Sequence, residues 1–138
     1  MIRVKDLELS IQFYVKVLDM EVIRRKEYPD GKFTLVFIGY GSEEDNMVIE
    51  LTHNWGVTDY EMGTAFGHIA IEVQEMEEVC SRAKEYGGCV TREPGPMKFG
   101  GGESVIAFIE DPNGYKIELI ERKSIFAQMH TRLDFGVT

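Results

Sequence analysis

Residues 48–51 read Val-Ile-Glu-Leu and residues 116–119 read Lys-Ile-Glu-Leu, and each tetrapeptide closes a series of elements that the chain spells twice. A repeat of this length constrains the fold more than any single motif, because each copy is one supersecondary unit that must pack against the other. The first copy opens with the short strand Ile2-Arg3-Val4 and a helix in which Leu7, Ile11, Tyr14 and Leu18 recur at helical spacing behind an Asp6 cap. The second opens with the strand Gly67–Val73 and a helix that turns Met76, Val79, Cys80 and Ala83 inward and stops at Gly87-Gly88. Three strand-like segments follow each helix. They are Glu21–Arg25, Phe33–Gly39 and Met47–Thr52, then Cys89–Glu93, Val105–Glu110 and Tyr115–Glu121. Turn residues separate them at Pro29-Asp30-Gly31, Gly41–Asn46, Pro94–Gly102 and Asp111-Pro112-Asn113-Gly114. The expected fold is α+β, with tandem βαβββ modules over about 1–53 and 65–122 forming a single domain, 1–122, and a tail over 123–138.

Composition narrows what such a fold does. A chain of 138 residues with 43% hydrophobic and 28% charged residues has enough apolar surface for its own core. Its 24 acidic against 15 basic residues, a net charge of −9, oppose binding to nucleic acid or to an anionic membrane surface. No apolar run approaches the roughly 18 residues of a transmembrane helix, and the segment from Met1 is too charged for a signal peptide. Cys80 and Cys89 form no C-x-x-C pair, which suits a reducing compartment, so the expected location is the cytoplasm.

The polar residues inside the apolar strands carry the chemical signal. Side chains alternate faces along a strand, so Glu50 opposes Ile49 and Leu51, His68 opposes Ile69, and Glu118 opposes Ile117 and Leu119. If the aliphatic faces pack on the helices, all three polar residues look onto the opposite, concave face. An unpaired carboxylate is costly to bury, so Glu50 is either exposed or partnered. Two carboxylates and an imidazole on one cavity suit a first-row divalent ion better than calcium or magnesium. A hydrogen-bonded structural histidine is the alternative for His68.

The stretches SIQFYVKVLDM (10–20), VIELTHNWG (48–56), GTAFGHIAI (63–71), TREPGPMK (91–98) and IAFIEDPNGYKIELIE (106–121) closely resemble glyoxalase I, the lactoylglutathione lyases of the vicinal-oxygen-chelate superfamily, in their short bacterial form. The resemblance spans Met1 to about Arg122. It implies that Glu50, His68 and Glu118 hold a divalent metal, nickel or cobalt with zinc as a further option. It also implies that Arg3 and Asn54 hold glutathione, with Lys98 as a further cation for the same ligand. The implied partner is a second copy of the chain, each copy giving one module to a shared barrel. The implied reaction converts the methylglyoxal–glutathione hemithioacetal to S-D-lactoylglutathione, with Glu118 as the proton-transferring base.

One part of the family pattern has no counterpart in this chain. The family's first ligand is a histidine in the first strand. Pairing Leu7 with Met76 and Val4 with Val73 puts the counterpart of His68 two positions before Met1. Three expectations follow: a native segment precedes Met1; three ligands and water suffice or activity is lost; or His130, in the Met129-His130-Thr131 piece of the tail, substitutes. Non-catalytic members of the fold, such as bleomycin-resistance proteins, are the rival class, and a metal-dependent dioxygenase or epimerase is a further alternative. The remaining conspicuous residues read as structural. Cys80 packs in the core, Trp55 sits near the module junction, and Gly100-Gly101-Gly102 forms a flap without the lysine of a phosphate loop.

Overall fold

In a computed structural model, which describes residues 1–99 and 104–122, the repeat is realised as two units with the same element order. The first contains β1 (Ile2–Arg3), α1 (Leu7–Leu18), β2 (Glu21–Tyr28), β3 (Phe33–Gly39) and β4 (Val48–Asn54). The second contains β5 (Ile69–Val73), α2 (Met76–Glu85), β6 (Cys89–Pro96), β7 (Val105–Glu110) and β8 (Lys116–Glu121). Each unit forms its own four-stranded sheet, in the orders β1-β4-β3-β2 and β5-β8-β7-β6. Neither sheet closes on itself, so each is an open half.

Register makes the two units equivalent. Ile2 pairs with Leu51 in the parallel β1–β4 ladder, as Ile71 pairs with Leu119 in the parallel β5–β8 ladder. Glu50 stands opposite Phe37 on the neighbouring strand, and Glu118 stands opposite Phe108. The aliphatic faces lie under the helices as expected. Val36, Ile38, Leu51, Ile109, Ile117 and Leu119 are fully buried, and the polar residues between them emerge on the other face.

Asp6 caps α1, its carboxylate accepting from the Leu9 N–H at 3.0 Å. Ile11 is half-buried rather than inward, and Ser10, Phe13, Tyr14 and Val17 fill the packed face. Met76, Val79, Cys80 and Ala83 of α2 are buried as the periodicity predicts. The chain turns out of α2 at Gly87, whose φ of +88° a residue with a Cβ rarely adopts. Two strands run further than predicted. β2 continues to Tyr28 through Lys26 and Glu27, and β6 continues through Pro94 to Pro96. Both are edge strands, where exposed charges and a missing N–H are tolerated. His68 lies just outside β5 rather than within it.

The units are joined by a buried polar junction. The Tyr14 hydroxyl donates to Asp111 Oδ2 at 2.8 Å, and Asn113 Nδ2 donates to Ser10 Oγ at 3.1 Å. Burial, reinforced by the Asp111 charge, pushes the Tyr14 hydroxyl well above its ordinary pKa.

Candidate functional site

Glu118 is presented by β8 between two fully buried neighbours, Ile117 and Leu119, which forces its carboxylate onto the helix-free face. His68, at the entry to β5, meets it there, with Nε2 2.9 Å from Glu118 Oε2. The imidazole also stands edge-on to Phe108, with ring centroids 5.3 Å apart. Glu118 is 15% exposed and His68 40%, so the pair is sheltered on the carboxylate side and open on the imidazole side. A cavity of about 400 Å³ surrounds His68, lined also by Phe66, Thr91, Arg92, Phe108 and Lys116.

Glu50 occupies the equivalent place on the first sheet, half-buried beside Phe37, and its Oε1 accepts from Thr52 Oγ1 at 3.2 Å. The three expected ligands divide between the two sheets, as their places in the two modules imply. His68 and Glu118 are brought together, while Glu50 lies on the other sheet. Among the described residues no group of three His, Cys, Asp or Glu side chains converges. The counterpart of His68 beside Glu50 falls, by the observed register, two positions before Met1.

Arg3 lies on β1 with an exposed side chain and a fixed backbone. Its N–H donates to the Tyr115 hydroxyl at 3.1 Å, and that hydroxyl donates to the Arg3 carbonyl at 2.8 Å. Burial raises the Tyr115 pKa, and the bond that its hydroxyl accepts from the Arg3 N–H draws it back in part. Asn54 ends β4 and donates to the Tyr60 hydroxyl at 3.2 Å. Lys98 is exposed beyond β6 and does not line the cavity around His68. His130, the tail and Gly100–Gly102 lie outside the described residues. Cys80 is buried, as expected, and Trp55 donates to Thr34 Oγ1 at 2.8 Å.

Sequence reasoning missed Arg92 and Lys116 in the cavity, and Arg24, whose guanidinium carbon lies 3.5 Å from the centre of the Phe37 ring. The repeat held the signal, since Arg24 and Arg92 are related by the same 68-residue offset that relates Glu50 to Glu118.

A metal ion needs converging lone pairs. The nitrogen and oxygen donors of His68 and Glu118, already within contact on an accessible face, fit a borderline divalent ion. The pattern of the Glyoxalase/Bleomycin resistance protein/Dioxygenase superfamily matches residues 1–119. The chain belongs to this superfamily.

Within the superfamily, the lactoylglutathione lyase of Escherichia coli O157:H7 is 58% identical over 123 residues, 89% of this chain and 90% of that protein. The solved trypanothione-dependent glyoxalase I of Leishmania major superposes with a TM-score of 0.78 at 39% identity, covering 97% of this chain and 91% of that one. Glyoxalase I from Zea mays gives a TM-score of 0.81 at 46% identity over 87% of this chain. This chain spans only 42% of the maize chain. The two open sheets with their covering helices are thus the glyoxalase fold, as the repeat and the resemblance predict.

Proposed function

We propose that this protein is a metal-dependent lactoylglutathione lyase that isomerises the methylglyoxal–glutathione hemithioacetal to S-D-lactoylglutathione in the cytoplasm. The observation that carries the reading is the 58% identity to a lactoylglutathione lyase over 89% of the chain. The geometry supports it, because the open face of one sheet carries His68 with Glu118 and that of the other carries Glu50. A homodimer would set the first face of one copy against the second face of its partner and bring Glu50 to the other two donors. No described helix is long and apolar enough to cross a membrane.

Glu50, His68 and Glu118 would hold the metal, nickel or cobalt in preference to zinc. Bound there, a divalent ion supplies Lewis-acid polarisation of the substrate oxygens. Glu118 takes the proton from the carbon beside the substrate carbonyl and returns a proton to the neighbouring carbon, so the hydroxyl and carbonyl exchange places and a thioester results. The shelter of Glu118 limits exchange of that proton with bulk water. Glutathione brings two carboxylates to an acidic protein, so local cations must hold it. Arg3 and Asn54 of the first unit, and Arg92 with Lys98 of the second, would do so.

The test is thioester formation from methylglyoxal and glutathione by metal-stripped protein reloaded in turn with nickel, cobalt and zinc. Turnover with at least one metal is expected, highest with nickel or cobalt. Silence with all three, together with no binding of an S-substituted glutathione, would transfer the protein to the non-catalytic binding class.

A further inference from the structure

Across their helix-free faces the two sheets carry the same row of side chains, Arg24, Phe37 and Glu50 on one and Arg92, Phe108 and Glu118 on the other. In both edge strands the register slips just before the arginine, after Val22 and after Val90, so the bulge is part of the repeated design. The rows differ in what holds the guanidinium.

Arg24 is fixed from two sides. Its Nε donates to Glu43 Oε1 at 2.6 Å and its Nη2 to Glu43 Oε2 at 3.4 Å, while the guanidinium lies over Phe37. Glu43 stands on a braced turn. The Ser42 hydroxyl accepts from the Glu44 N–H at 3.2 Å, and the Ser42 carbonyl accepts from the N–H groups of Asp45 and Asn46 at 3.2 and 2.9 Å. Arg92 has no such anchor among the described residues. It donates to the Pro96 carbonyl of its own strand at 2.7 Å and borders the cavity beside Phe108. One row is therefore roofed and charge-neutralised, and the other opens onto a cavity.

We propose that the Arg24–Glu43 pair is a roof over Phe37 that sets the size of the aldehyde substituent accepted beside Glu50. The inference rests on the reading of Glu50 as part of a glyoxalase site and deepens that reading. Strand order gives the direction. From Glu50, Arg3 lies on the β1 side and Asn54 at the end of β4, whereas Phe37 lies on β3, on the opposite side. A substrate anchored by its peptide carboxylates at Arg3 and Asn54, with its reacting carbon at Glu50, directs its remaining substituent across Phe37. A methyl group is short enough to stop at the edge of the covered ring. A phenyl group needs the ring face that Arg24 covers, and it must displace a guanidinium held by both a carboxylate and a π-face.

The experiment measures kcat/KM of the metal-loaded protein for the glutathione adducts of methylglyoxal and phenylglyoxal. Arg24→Ala is expected to raise the phenyl-to-methyl ratio about fivefold or more, and Glu43→Gln to raise it less, since the amide releases the roof without removing it. Should Arg24→Ala fail to fold, the ratio for Glu43→Gln decides. A ratio that stays within about twofold of wild type in both variants, or that falls, overturns the specificity role while leaving the lyase reading intact. A wild-type protein that converts neither adduct with any metal overturns the lyase reading, and the specificity role with it.

Discussion

Replacing Tyr14 by Phe removes a single oxygen from the buried junction between the two units, and its cost follows from the groups left behind. Tyr14 is fully buried and Asp111 is 3% exposed. Asp111 Oδ1 accepts from the N–H groups of Asn113 and Tyr115, both at 2.9 Å. Its Oδ2 accepts from the Tyr14 hydroxyl at 2.8 Å and from Asn113 Nδ2 at 3.0 Å. A hydrogen bond to a charged group contributes about 1.5–3 kcal/mol. Three donors to Asp111 survive the substitution and Phe leaves almost no cavity, so the loss falls at the lower end, about 1.5–2 kcal/mol. In urea unfolding the midpoint drops while the m-value stays constant.

The pH dependence supplies a second readout of the same variant. The folded-state pKa of Tyr14 is raised above the unfolded value. Its contribution is therefore complete below the unfolded pKa of about 10, and it is lost as pH climbs from there toward the folded value. Above about pH 10 the wild type should lose stability faster than Tyr14→Phe, by up to ~1.4 kcal/mol per pH unit. A loss under ~0.5 kcal/mol at neutral pH, or identical alkaline slopes, would show that the junction does not hold the units together as argued.

Glu118→Gln keeps the shape of the base and removes its proton affinity, so kcat should fall about 10²–10⁴-fold in single-turnover assays. Equimolar mixing of inactive Glu50→Gln and Glu118→Gln proteins, after subunit exchange, should restore about a quarter of wild-type activity, because half the dimers then hold one intact site of two. No recovery in exchanged samples would refute the shared site. Gly88→Ala should lower stability by about 1–3 kcal/mol in thermal unfolding, since the added methyl meets the Glu110 carbonyl and the Phe13 ring.

The repeat was legible because each copy uses two different periods in the same order, and Asp6 and Gly87 mark helix ends by backbone chemistry. The edges were less legible. The pattern ends the strand from Glu21 at Arg25, short of Lys26 and Glu27, and opens a connection at Pro94, yet an edge strand has one free side on which charge and a missing N–H cost little. The faces carrying Glu50 and Glu118 followed from alternation alone. Their distribution over two modules followed from the repeat, but the strand order within each sheet did not, because a strand pattern states which face a residue takes and not which strands lie beside it. Arg24 and Arg92 were overlooked for a related reason. A charged residue in an edge segment looks solvated until its neighbour across the ladder is known, and in both units that neighbour is a phenylalanine.

The helix-free face of the first sheet is suited to the pairing of unlike faces in the proposed homodimer. Phe33, Leu35 and Phe37 line β3 there, each half-buried, while the opposite face of the same strand buries Thr34, Val36 and Ile38. Edge-strand cations partly cover that stripe, Arg24 over Phe37 and Lys26 over Tyr28, which itself stacks on Phe33 with ring centroids 4.7 Å apart. The stripe and Glu50 thus share a face that is neither a sealed core nor an ordinary polar surface. Apolar surface left half-covered gains free energy when a complementary face removes it from water. A carboxylate set in that surface loses hydration in the same step unless it gains a charged or donor partner. The second sheet offers an imidazole and a cavity edged by cations. In the proposed homodimer, closure of unlike faces would therefore be favourable where a cation compensates Glu50, which would couple metal binding to assembly and make both depend on protein concentration.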